Sequence, residues 1–161
     1  MDDDTLDADT LLDRVRARYD GLVAHDVWGE RGLFYNPGGN LPRGAYFLTV
    51  KERDGDNDRA SNLGRPGVYR VNFGLSKESY RERFDDPPAR PPKGGVVDTG
   101  HDFAATDELL PHPVYAWAGW VCVLSPSAET LSTLWPLVDE AYERAVGTYA
   151  DRTTTRDGSP M

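Results

Sequence analysis

Cysteine occurs once in this 161-residue chain, at Cys122, so neither an internal disulfide nor a cysteine-built zinc or iron–sulfur cluster can form within it. No stretch approaches the roughly 18 consecutive apolar residues that a membrane-spanning helix requires. The opening Met1-Asp2-Asp3-Asp4 is the opposite of a basic secretory n-region, and the expectation is a soluble, cytoplasmic protein with no membrane partner. Gly-x-Gly-x-x-Gly, P-loop and Gly-x-Ser-x-Gly patterns are all missing, which removes the usual sequence routes to nucleotide cofactors and hydrolase chemistry. No cofactor is expected.

What the chain has is acid, unevenly placed. The net charge of −9 opposes binding to a phosphate backbone, which relies on basic surface and released counterions. Residues 1–30 carry −6 and residues 96–150 carry −7, whereas residues 31–95 carry +4. Most of the cations are arginine, suited to planar or bidentate anion recognition.

Hydrophobic spacing gives the organisation. Thr10 followed by Asp13 has capping-box character, and Leu11, Leu12, Val15 and Tyr19 recur at helical spacing until Gly21. A turn over residues 29–32 leads into a short strand, Leu33-Phe34-Tyr35, closed by Asn36-Pro37-Gly38-Gly39. Residues 45–53 read as a second strand, with Tyr46, Leu48 and Val50 on one face and Phe47 and Thr49 on the other. Residues 68–75 form a third, directing Tyr69, Val71, Phe73 and Leu75 to one side and Arg70 and Asn72 to the other. Ser76 caps a helix through Phe84, on which Tyr80 and Phe84 lie four apart. Residues 85–105 are rich in proline and glycine and carry no periodicity. Residues 114–117 and 120–124 read as a fourth and fifth strand, or one bent strand. The last helix opens at Ser125-Pro126 and carries Leu131, Leu134, Trp135, Val138, Ala141, Tyr142, Ala145 and Tyr149 as an apolar stripe, with Pro136 expected to kink it.

The expected fold is therefore α+β: two layers, a five-stranded antiparallel sheet with helices on one face, in the order α-β-β-β-α-β-β-α. Residues 10–150 form one domain, between an acidic tail at 1–9 and a second tail at 151–161.

Pro111-His112-Pro113-Val114-Tyr115, Trp120-Val121-Cys122-Val123-Leu124, Leu137-Val138-Asp139-Glu140-Ala141-Tyr142, and Val68-Tyr69-Arg70-Val71-Asn72 leading into Ser76-Lys77-Glu78 carry a resemblance. Over about residues 30–150 the chain resembles the MmcQ/YjbR family, of secretion-chaperone-like or frataxin-like appearance. Arg65-Pro66-Gly67-Val68 and the run from Leu109 to Tyr115 resemble a branch of that family of unknown function. The resemblance implies the same element order and a DNA-binding label based on shape. It carries no catalytic motif.

The residues themselves supply several candidates. Asp54-x-Asp56-x-Asp58 imitates the start of a calcium loop, but Arg59 stands where glycine is needed and Arg65 where the bidentate glutamate belongs, so a solvated polar loop is expected and no metal. Cys122, flanked by Val121 and Val123, reads as a core side chain. His112, locked between two prolines, reads as a hydrogen-bonding corner residue or, with His101 and Asp102, as part of a catalytic or metal-binding group. Arg70 and Asn72 are expected on an open sheet face with Arg59 and Arg65 at its rim, where guanidinium forks grip a carboxylate or phosphate, and Trp117 and Trp120 supply flat contacts beside them.

The leading expectation is a noncatalytic binding module that recognises a protein, a peptide or a small anionic ligand through the open sheet face and the 85–105 loop. Arg59, Arg65, Arg70, Asn72, His101, His112 and Trp120 are its candidate contacts. Weak nucleic-acid binding through the basic middle segment is the alternative, disfavoured by the net charge. An enzyme built on His101, Asp102 and His112 is the third.

Overall fold

The structure, a computed structural model, describes residues 5–156; residues 1–4 and 157–161, which hold parts of the two expected tails, lie outside the described residues. The fold is α+β, with one antiparallel sheet and three α-helices. The sheet has six strands, not five: β1 (Leu22–Val27), β2 (Glu30–Tyr35), β3 (Ala45–Lys51), β4 (Arg70–Gly74), β5 (Leu109–Pro111) and β6 (Trp120–Leu124). The helices are α1 (Ala8–Arg18), α2 (Lys77–Arg83) and α3 (Ala128–Arg156). Four strands precede α2, giving α-β-β-β-β-α-β-β-α along the chain, and the spatial order is β1-β2-β3-β4-β6-β5.

The core lies between the helices and one face of the sheet. Leu11 and Val15 of α1, Tyr80 of α2 and Leu134, Val138 and Ala141 of α3 share one buried cluster with Leu48, Val50, Val71, Phe73, Val121 and Val123. The expected inward face of the strand holding Tyr69, Val71 and Phe73 is correct, as is the stripe along α3, which runs on past Pro136. Ser76 caps α2 as expected, its Oγ accepting from the Ser79 amide at 3.0 Å.

Several sequence expectations are corrected by the structure. First, α1 starts earlier: Asp7, not Thr10, is its cap and accepts from the Thr10 amide at 2.7 Å. Leu6 decides the choice, since it is buried in the core and its amide bonds Pro126 O at 3.0 Å, drawing the start of the helix inward from the expected tail.

Second, residues 22–27 form β1, paired along their whole length with β2. Ala24, His25 and Asp26 of this edge strand are exposed, so burial leaves little alternation to read. The turn joining it to β2 is Trp28-Gly29, both in the left-handed region at φ 54° and 74°. This is the backbone of a two-residue type I′ hairpin, which ordinarily takes Asn or Gly first.

Third, the alternation in β3 breaks at Phe47. Leu33 pairs with Leu48 and Phe34 with Tyr46, which leaves Phe47 as the extra residue of a bulge. Phe47 and Leu48 therefore both enter the core cluster, while Tyr46 turns to the opposite face beside Thr49, its hydroxyl 3.0 Å from Thr49 Oγ1.

Fourth, the strand before β6 is Leu109–Pro111, and residues 116–118 form a 3-10 turn instead of a strand. Gly119 ends that turn at φ 91°, with Leu75 O only 2.7 Å from where a Cβ would sit, so no other residue fits the reversal. Ser127 rather than Ser125 caps α3, accepting from the Thr130 amide at 3.1 Å.

Candidate functional site

The face of the sheet away from the helices is only partly open. At one end the segments before β4 and β5 fold over it, and Leu63, Leu110, Cys122 and Leu124 make a second buried cluster. Arg70 lies beneath this cover with no exposed surface, and the open-face position expected for it is corrected. Its guanidinium does grip a carboxylate, but the carboxylate is the protein's own. Asp58 binds Nη1 and Nη2 at 2.9 and 2.5 Å, while Asn72 Oδ1 accepts from Nε at 2.7 Å and Ser61 Oγ from Nη1 at 3.0 Å. Burial works against the charge, but the bonds and charge of Asp58 outweigh it and hold the guanidinium protonated. Every fork of Arg70 is used, so it cannot reach a phosphate.

The network extends along the floor. Asn72 Nδ2 donates to Thr49 Oγ1 at 3.2 Å and to Glu30 Oε1 at 3.3 Å, and the buried Lys51 ammonium stands 3.9 Å from Glu30 Oε2. His112 closes one side. Its Nδ1 faces the amides of Val114 and Tyr115, both at 3.1 Å, and its Nε2 lies 3.3 Å from Arg70 Nη2. Burial, with the charges of Arg70 and Lys51, depresses its pKa well below that of an ordinary histidine. It is a fixed corner of the floor.

Beyond the cover lies a pocket of about 540 Å³ lined by Glu30, Thr49, Asn72 and His112 below and by Trp28, Tyr46, Tyr115, Trp117 and Trp120 around them. The volume falls in the range of small-molecule sites, roughly 300–1,000 Å³. Its walls come from four separate stretches of chain: the β1–β2 turn, β3, β4 and the segment from His112 to Trp120. The β3 bulge brings Tyr46 in, with its ring centroid 4.7 Å from that of Trp120. Trp28, 68% exposed, and Tyr115, 48% exposed, flank the opening.

Of the residues singled out from the sequence, Arg70, Asn72, His112 and Trp120 are brought together here. Arg59 is exposed in the 54–67 loop and 4.0 Å from Asp56. Arg65 is spent on backbone carbonyls of Ser61, Asn62 and Ala104. His101 is exposed, 2.9 Å from Thr99 Oγ1 and edge-on to Phe84, whereas His112 is buried against backbone amides, so the two imidazoles are engaged separately. Among the described residues, no group of three or more His, Cys, Asp or Glu is placed to hold a metal. Asp54 accepts from the Leu63 amide at 2.9 Å and Asp58 binds Arg70, so two of the aspartates of the calcium-like motif pin their own loop. Sequence reasoning missed Trp28, Glu30, Tyr46, Thr49 and Tyr115. The one local signal was tryptophan beside glycine where a turn was expected, an unusual residue for a tight reversal.

A family profile described as "Family of unknown function (DUF6194)" matches residues 6–154. No curated protein and no solved structure matches the chain. No described helix is long and apolar enough to cross a membrane.

Proposed function

The chain belongs to the DUF6194 family of unknown function, and from the pocket geometry we propose that it is a noncatalytic binding protein holding a small molecule against the outer face of its sheet. The observation that carries this reading is the convergence of five aromatic rings over a floor of hydrogen-bonding groups in a concavity of about 540 Å³. Rings supply area and flatness with few rotatable bonds, and the fixed polar floor supplies orientation.

The floor disfavours the anionic ligand expected from the arginine content, because Arg70 is already saturated by Asp58 and Lys51 is buried beside Glu30. A neutral or cationic molecule suits it better. Glu30, Thr49, Asn72 and Trp120 are the proposed contacts, with Trp28 and Tyr115 at the mouth.

A thermal-shift screen of neutral, cationic and anionic small molecules tests the reading, since a ligand that prefers the native state raises Tm by RT ln(1 + [L]/Kd) expressed as stability. The expected result is saturable stabilisation by compounds that also change tryptophan fluorescence, abolished in Trp120→Ala. Stabilisation that survives Trp120→Ala and Tyr115→Ala together places the ligand elsewhere and overturns the proposal.

A further inference from the structure

We infer that the ligand is an organic cation, an alkylated ammonium of a few carbons, held over the Glu30 carboxylate and enclosed by the five rings. The inference rests on the pocket reading above and names its ligand class.

The first support is the charge arrangement. Two cations and two carboxylates meet at the floor, but they are not equally satisfied. Arg70 and Asp58 form a closed two-pronged pair, whereas Glu30 has one contact to Lys51 at 3.9 Å, the outer limit of an ion pair, and one from Asn72 at 3.3 Å. Glu30 lines the pocket and Lys51 does not. The carboxylate thus faces the cavity with acceptor capacity to spare.

The second support is the walls. Aromatic faces carry the negative lobe of the ring quadrupole and attract ammonium groups. Neighbouring planes meet at angles, 36° for Trp28 with Tyr46, 50° for Tyr46 with Trp120 and 59° for Tyr115 with Trp120, so these rings are not stacked against one another. The pocket therefore combines ring quadrupoles with a loosely held carboxylate, an environment that favours diffuse positive charge over a neutral molecule of equal shape.

The third support is Trp28. It occupies a left-handed conformation that side chains disfavour, is 68% exposed, and its ring contact within the protein is with Tyr46 at 6.3 Å. Strain and exposure without burial mark a residue kept for something that is to be covered. In the hairpin turn it stands where a bound molecule would meet a ring from outside.

Isothermal titration of the full chain with choline and benzyltrimethylammonium, against the uncharged choline isostere 3,3-dimethylbutan-1-ol and the anion benzenesulfonate, tests this directly. The cations are expected to bind saturably and to quench tryptophan fluorescence, with the isostere about tenfold weaker or more and the sulfonate silent. Glu30→Gln is expected to erase the preference for cation over isostere. Trp28→Ala, an exposed position whose change spares the core, is expected to weaken the cations without lowering Tm. If the isostere or the sulfonate binds as well as choline, the cation inference falls and the pocket reading stands; if neither variant alters cation binding, the cations sit elsewhere and the cation inference falls. If no probe of any charge binds and the wider screen is also silent, both fall.

Discussion

Asp58 and Arg70 clasp one another across the outer face of the sheet. The aspartate comes from the loop before β4 and the arginine from β4 itself, joined through both guanidinium nitrogens at 2.9 and 2.5 Å. Because Arg70 is fully buried, removing its partner leaves an uncompensated charge in the interior. Asp58→Ala is expected to cost about 3 kcal/mol in chemical denaturation. Replacing the pair together, Asp58→Leu with Arg70→Met, should recover most of that loss. A single-variant cost below about 1 kcal/mol would show that the clasp behaves as a surface ion pair.

The buried imidazole of His112 makes stability depend on mild acid. Its folded pKa lies well below the ordinary value of 6.5, so as pH falls through 6.5 the unfolded chain takes up a proton that the folded chain refuses. Stability should therefore drop between pH 6.5 and 5 by up to about 2 kcal/mol. Asp7, Asp107 and Asp139, whose pKa values are lowered from 3.8, lose their contribution only at lower pH, which separates the two windows. His112→Asn places an amide oxygen where Nδ1 accepts the two amides and does not titrate. Denaturation midpoints at pH 7 and pH 5 should lie closer together in this variant than in the wild type.

Trp28 sets folding against binding. Asparagine suits the first position of a type I′ turn, and Trp28→Asn is expected to stabilise the protein by about 1 kcal/mol. The same change removes a wall of the pocket and should weaken any ligand found there. Denaturation and titration of one sample suffice, and a variant that is less stable than the wild type would mean that the exposed ring packs more than its 6.3 Å contact with Tyr46 indicates.

Cys122 should be chemically silent in the native state. It is fully buried, its Sγ lies 3.7 Å from Pro111 O, and burial pushes the thiol pKa up to about 12, outweighing the opposing pull of Arg70. An aromatic disulfide reagent at pH 8 is expected to react at the rate at which the protein opens, and at once in denaturant. Rapid stoichiometric labelling without denaturant would show that β6 is accessible from its outer face.

The sequence by itself determined the elements that bury a whole stripe or face. In α3, in α2 behind its Ser76 cap and in the strand carrying Val71 and Phe73, the regularly spaced apolar residues go to the core, so local spacing alone reveals the element and its inner side. It determined too that Cys122 is a core residue. Only the tertiary structure decided the rest. Edge strand β1 exposes Ala24, His25 and Asp26 and so leaves no clear alternation. The Phe47 bulge reverses the face of Tyr46 because one extra residue shifts a period of two. Arg70 is buried because a carboxylate twelve residues earlier folds back onto it. The pocket draws Trp28 from the β1–β2 turn and Tyr46, Asn72 and Trp120 from strands far apart in the chain, and contacts made through strand pairing over such separations leave no mark on local periodicity.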